Sequence, residues 1–206
     1  EISLGLVGSE MCIRDSDKIS KLSKDIVFID WGYNKAYDFV NHAKMLEELK
    51  VKYLLAPGTS TWSSITGRFI DMKETIENST YASKKYHGLG ILLTDWGDMG
   101  HLQYLPSSYL GFIYGAMLSW SSGTIEDAEK YLAIILNDET LAKVIVELSH
   151  YHELEGEYRD YGTRLFASIM WAEHGRRQDD KVNFFLNRMK SNIISYEAVQ
   201  KLHDLF

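Results

Sequence analysis

Cysteine occurs once in this chain, at Cys12. A single thiol closes no internal disulfide and builds no thiolate metal site, which leans towards a reducing compartment such as the cytoplasm. An excess of basic charge is also missing. The 22 Lys and Arg stand against 29 Asp and Glu, a net charge of -7, and the positive residues are scattered along the chain. A phosphate backbone is bound by a basic stripe, so no nucleic-acid partner is expected. No apolar run approaches the roughly 18 residues of a membrane span, so no membrane partner is expected either. There is no phosphate loop, no dinucleotide fingerprint and no nucleophile-elbow Ser, and no cofactor is expected. His150 and His152 with Glu153 and Glu155 lack the His-Glu-x-x-His spacing. Residues two apart on a helix do not share a face, so these four read as a solvated helix surface with no metal.

What is present is the composition of a globular chain, 45% hydrophobic and 25% charged, with aromatic residues at 13%. The first sixteen residues, Glu1 to Ser16, do not resemble a secretory signal, because Ser3 and Gly5 interrupt the apolar stretch Ile2 to Val7 and no basic segment precedes it. Gly5 to Ser16 resembles a translated cloning adapter, and the native sequence is expected to begin near Asp17.

From Asp25 onward, short apolar runs alternate with amphipathic ones. Ile26 to Ile29, Val51 to Ala56 and Leu89 to Leu93 are continuous apolar runs bounded by polar, Gly or Pro residues, the pattern of strands buried on both faces of a parallel sheet. Between them, Ala36, Phe39, Val40, Ala43, Leu46 and Leu49 recur at helical spacing, as do Phe69, Met72 and Ile76. After Pro106 only helical patterns follow. Tyr109 to Trp120 is apolar enough for a buried helix, Thr124 to Asp127 has capping-box form, and Asp138 is placed to cap a stripe of Leu141, Val144, Ile145, Leu148 and Tyr151. Gly175 marks a stop, and Val182, Phe185, Leu186 and Met189 begin a last helix.

Three parallel strands followed by about 100 residues of helix do not close a domain, because strands apolar on both faces need cover on both sides and neighbours on both edges. The expected fold class is therefore α/β: the last three strands of a (β/α)8 barrel of about 250 residues, over residues 17–120, followed by an all-helical region over 121–206.

The loop after each strand lies where a barrel builds its site. The first carries Asp30, Trp31, Gly32 and Tyr33; the second runs from Pro57 to Trp62 and on to Gly67 and Arg68; the third runs from Asp95 to His101. Each offers an indole beside groups that bond hydroxyls. A sugar presents apolar C–H faces to aromatic rings and a hydroxyl rim to carboxylates and Arg. Asp30, Asp95 and Asp98 are equally suited to capping loops, and His101 to a core position.

These motifs, Trp31-Gly32-Tyr33, Ala56 to Trp62 with Gly67-Arg68, and Thr94 to His101, resemble the last barrel strands of glycoside hydrolase family 20, the β-N-acetylhexosaminidases, over about residues 25–120. The resemblance implies a retaining mechanism in which the substrate's acetamido oxygen attacks the anomeric carbon while a Glu protonates the leaving group. That Glu and its Asp neighbour belong to an earlier strand, in a Gly-Asp-Glu-like motif that this sequence does not contain. The resemblance therefore implies no catalytic residue here. It implies a substrate-binding wall of Trp31, Tyr33, Trp62, Arg68, Trp96 and Asp98 for a small-molecule or oligosaccharide substrate with a terminal N-acetylhexosamine. Asp98 stands where the family's Trp-x-Glu places a longer carboxylate, and Ser60-Thr61-Trp62 replaces the Tyr-x-Asp of many members. Another barrel glycosidase, or a non-catalytic carbohydrate-binding protein, would present the same loops.

Overall fold

A computed structural model describes residues 19, 25–97, 102–155, 162, 163, 165 and 166. The adapter-like segment, Asp98, His101, Gly175 and the helix expected from Val182 lie outside the described residues. The chain is mixed α/β and mostly helical. Two strands, β1 (Val27–Trp31) and β2 (Lys52–Ala56), pair in parallel, with Val27 opposite Lys52 and Trp31 opposite Ala56. Among the described residues five helices follow the alternating pattern and then continue alone: α1 (Phe39–Glu48), α2 (Phe69–Lys85), α3 (Pro106–Trp120), α4 (Ile125–Leu136) and α5 (Glu139–Ser149), before a 3-10 turn at Tyr151–Glu155.

The third apolar run departs from expectation. It lies parallel beside β2 but touches it in isolated bridges, Leu55 with Ile91 and Gly58 with Thr94. Gly90, just before the first bridge, sits at φ +142°, a conformation that residues with a side chain rarely adopt.

Local chemistry sets the helix starts. The Asp38 side chain accepts from the Asn41 amide at 3.0 Å and caps α1, so that helix begins at Phe39 and Ala36 falls in the preceding turn. Thr124 and Asp127 bond reciprocally at the head of α4, and Asp138 accepts from Leu141 N at 2.9 Å at the head of α5. Each cap is worth ~1 kcal/mol. Pro106 opens α3, where its missing N–H costs nothing.

Packing then decides which faces are covered. Phe28, Tyr53 and Leu55 turn towards Phe39, Ala43 and Leu46 of α1. Val27 and Ile29, on the other face, are exposed, as is Leu92. Among the described residues, helices cover one of the two faces expected to be buried. A second core joins Phe69, Met72 and Ile76 of α2 to Leu110 and Tyr114 of α3, Leu132 of α4 and Val146 of α5. It runs unbroken across residue 120, and each fully buried side chain of this kind contributes ~1.5–3 kcal/mol.

Two helical expectations change. On α5 the buried residues are Ala142, Val146 and Ser149, while Leu141 is exposed, because the close contact with α4 selects the small side of the helix. α3 buries Leu110 and Tyr114 but leaves Phe112 and Trp120 in solvent, so it is apolar all round but covered on one side only.

Candidate functional site

The parallel register carries the ends of β1 and β2 to the same edge, and the bridge at Thr94 brings the third loop alongside. Tyr33 is where the three loops meet. Its ring stacks on Trp31 with centroids 5.3 Å apart, meets Trp62 edge-on at 4.9 Å, and lies 6.4 Å from Trp96 at 68°. Its hydroxyl accepts a hydrogen bond from Trp96 Nε1 at 3.0 Å, and the same N–H is shared with Thr94 Oγ1 at 3.1 Å. Gly58 makes the assembly possible: a Cβ there would lie 2.4 Å from the Trp62 ring and 3.0 Å from that of Tyr33.

The sequence-derived site residues divide by exposure. Trp31 is half-buried and Trp96 is 45% exposed, so these two present aromatic surface. Tyr33 is buried, and Trp62 and Arg68 are 3% and 2% exposed. Arg68 holds Asp71 Oδ2 at 2.8 Å, and its guanidinium carbon lies 5.4 Å from the centre of the Trp62 ring. It therefore supports the indole from beneath. The partner Asp71 stands one turn along α2, an i,i+3 relation that spacing alone does not distinguish from a surface pair.

The carboxylates beside the cluster are engaged. Asp30 is fully buried, taking a hydrogen bond from Tyr37 OH and contacting His42 Nδ1 at 3.1 Å. Asp95 Oδ1 accepts from the hydroxyls of Thr59, Thr61 and Ser108, the last two at 3.0 and 3.1 Å. This hydroxyl network joins the second loop, the third loop and the first turn of α3. Gln103 Nε2 donates to the Trp96 carbonyl at 3.0 Å and secures the third loop further on. No periodicity or motif announced Ser108 or Gln103, whose roles arise from contacts across the fold.

The loop from Pro57 to Arg68 is held in an unusual backbone shape. Ser60 and Ser63 take φ of 55° and 52°, which cost about 1–3 kcal/mol each for residues other than glycine and persist where surroundings fix them. Ser60 O accepts from Arg68 N at 3.1 Å, and Ser64 Oγ accepts from Gly67 N at 2.9 Å. The helical region adds three ties: Ile65 N to Tyr151 OH at 3.2 Å, Thr66 Oγ1 to Leu148 O at 2.7 Å, and Thr163 N to Ser63 O at 2.9 Å. The helices thus clamp the loop that carries Trp62.

His150 bonds Glu153, and its ring centre lies 3.9 Å from that of Phe69. His152 Nδ1 faces the Ser149 carbonyl at 2.9 Å, and burial lowers its pKa below the ordinary 6.5. Among the described residues no group of three His, Cys, Asp or Glu could hold a metal ion, and no helix is long and apolar enough to cross a membrane. No family model, curated protein or solved structure matches the chain.

Proposed function

We propose that this chain forms the aromatic end of a sugar-binding pocket in a (β/α)-barrel glycoside hydrolase acting on terminal N-acetylhexosamine. The observation that carries the reading is the meeting of Trp31, Trp62 and Trp96 around Tyr33, at the carboxyl ends of parallel strands. Two of these indoles keep accessible surface for a pyranose ring. The exposed apolar face of β1 lends support, since a barrel strand is covered on that side by its neighbours across the interior.

The chemistry follows from what surrounds the rings. Asp30 and Asp95 are tied to Tyr37, His42 and a set of hydroxyls, so neither is poised to give a proton to a leaving group. General acid catalysis would come from the Gly-Asp-Glu-type strand that this sequence does not contain. The same observation favours a second reading for the chain as it stands, a carbohydrate-binding module that does not cleave its ligand.

The test is a titration of tryptophan emission with N-acetylglucosamine and with glucose, alongside a chromogenic N-acetyl-β-glucosaminide. Weak binding with a preference for the N-acetyl sugar, lost in Trp96→Ala and kept in Trp120→Ala, is the expected result. Equal responses to the two sugars, or a response that survives Trp96→Ala, would sink the reading. Turnover by the purified chain would place the general acid among this chain's own carboxylates.

A further inference from the structure

α4 and α5 pack side by side and leave a groove of about 780 Å³ between them. It is lined from Glu126 to Asn137 on α4 and from Glu139 to Glu147 on α5, so it runs the length of both helices, about 18 Å. Its apolar part is Ala133, Ile134, Ala142 and Val146, and Ile134 is 70% exposed. Tyr131, one turn before Ile134 and Ile135, is exposed along with both, so the apolar surface continues past the edge of the groove. A continuous apolar patch with a charged rim is the usual mark of a protein-binding surface.

The rim has one dominant sign. Glu126, Glu129, Asp138, Glu139 and Glu147 line the groove against Lys130 and Lys143, five negative charges to two positive, a local net of -3. Lys130 is already held by Asp127 at 2.9 Å, and among the described residues no salt bridge ties Glu129, Glu139 or Glu147. Burial raises the pKa of Glu129, and Glu126 and Glu147 add to the rise against an opposing pull from His150. Like charges crowd an apolar trough here, and an occupant carrying cations would relieve them.

The walls decide the shape of that occupant. Both are helices whose backbone groups bond within the helix, so an extended peptide would find no sheet edge and would leave its own N–H and C=O groups unpaired. A helix satisfies its backbone internally, and alanines at the seam let it approach closely. A second copy of the chain is a poorer fit, since it brings a net charge of -7 to an acidic rim. We propose that the groove between α4 and α5 receives a cationic amphipathic helix of a partner protein, its apolar stripe on Ile134 and Val146 and its flanking Lys or Arg on the glutamates of the rim. The proposal does not depend on what the aromatic cluster binds.

Calorimetric titration of the full chain with a leucine–lysine peptide of about 14 residues, its leucines on one helical face, tests it. Saturable one-to-one binding is expected, weakened about tenfold or more by Ile134→Asp and by scrambling the peptide, which keeps charge and composition but breaks the stripe. Glu129→Lys combined with Glu147→Lys should reverse the preference, so that a leucine–glutamate peptide binds more tightly than the leucine–lysine one. This charge-reversed pair decides the matter if Ile134→Asp does not fold. Absence of binding, or binding indifferent to peptide order or to these substitutions, would overturn the proposal. Self-association of the chain that Ile134→Asp abolishes, measured by sedimentation, would assign the groove to a second copy and overturn it as well.

Discussion

The Trp96 indole, about half in solvent, donates its N–H to the hydroxyl of buried Tyr33 at 3.0 Å. An exposed ring is thereby oriented by a group that solvent hardly reaches, and the two residues come from loops 63 positions apart. Orientation of this kind lowers the entropy that a ring gives up when it packs on a ligand.

Tyr33→Phe removes the acceptor and keeps the ring contacts. It should cost about 0.5–1.5 kcal/mol in stability and broaden the emission of Trp96 without unfolding the protein. Tyr33→Ala removes the hub itself and should cost about 3–5 kcal/mol. Chemical denaturation of the two variants checks both, and equal losses would mean that the hydroxyl, not the ring, organises the cluster.

Arg68→Ala strips Asp71 of its buried partner and should destabilise by about 3–5 kcal/mol. The double variant Arg68→Met with Asp71→Leu should recover much of the loss, because it leaves no uncompensated charge. An Arg68 that serves a ligand directly predicts the reverse, a stable single variant with weakened sugar binding. Urea midpoints separate the two.

Tyr151→Phe removes the acceptor of the Ile65 amide and the partner of the Thr163 hydroxyl. A buried amide left unpaired costs about 1–3 kcal/mol. Hydrogen exchange at Ile65 should quicken and Trp62 emission should shift, although Tyr151 lies on the helical side of the molecule. Unchanged exchange at Ile65 would show that the loop holds its shape through its own bonds.

Burial holds the His152 imidazole below its ordinary pKa of 6.5, partly offset by the Ser149 carbonyl, Asp71 and Glu153. The unfolded chain therefore takes up this proton first as the pH falls. The stability linked to His152 is fully present above about pH 6.5, declines as the pH drops below it, and levels off once the folded-state pKa is passed. His152→Gln should flatten that part of the profile between about pH 5 and pH 7. Parallel profiles for variant and parent would place the acid sensitivity elsewhere.

Features that depend on residues three or four apart were legible in the sequence. The Thr124–Asp127 capping box, the Asp138 cap and the burial of Phe69, Met72 and Ile76 all appear as read, and the parallel pairing of the first two strands was legible from their apolar runs and the helical pattern between them. A cap is settled by one side chain and one amide on the same turn, and a periodic stripe by the helix that carries it. Side-chain contacts between distant segments were not legible. The face of α5 turned inwards, the broken third strand, the inward aim of Arg68 and the clamp from Tyr151 each depend on groups brought together by folding. The sequence by itself determined which loops carry indoles and where most helices begin. The tertiary structure alone decided that Trp96 stays exposed while Trp62 and Tyr33 are buried, because burial is a sum over neighbours that the chain acquires only when it packs.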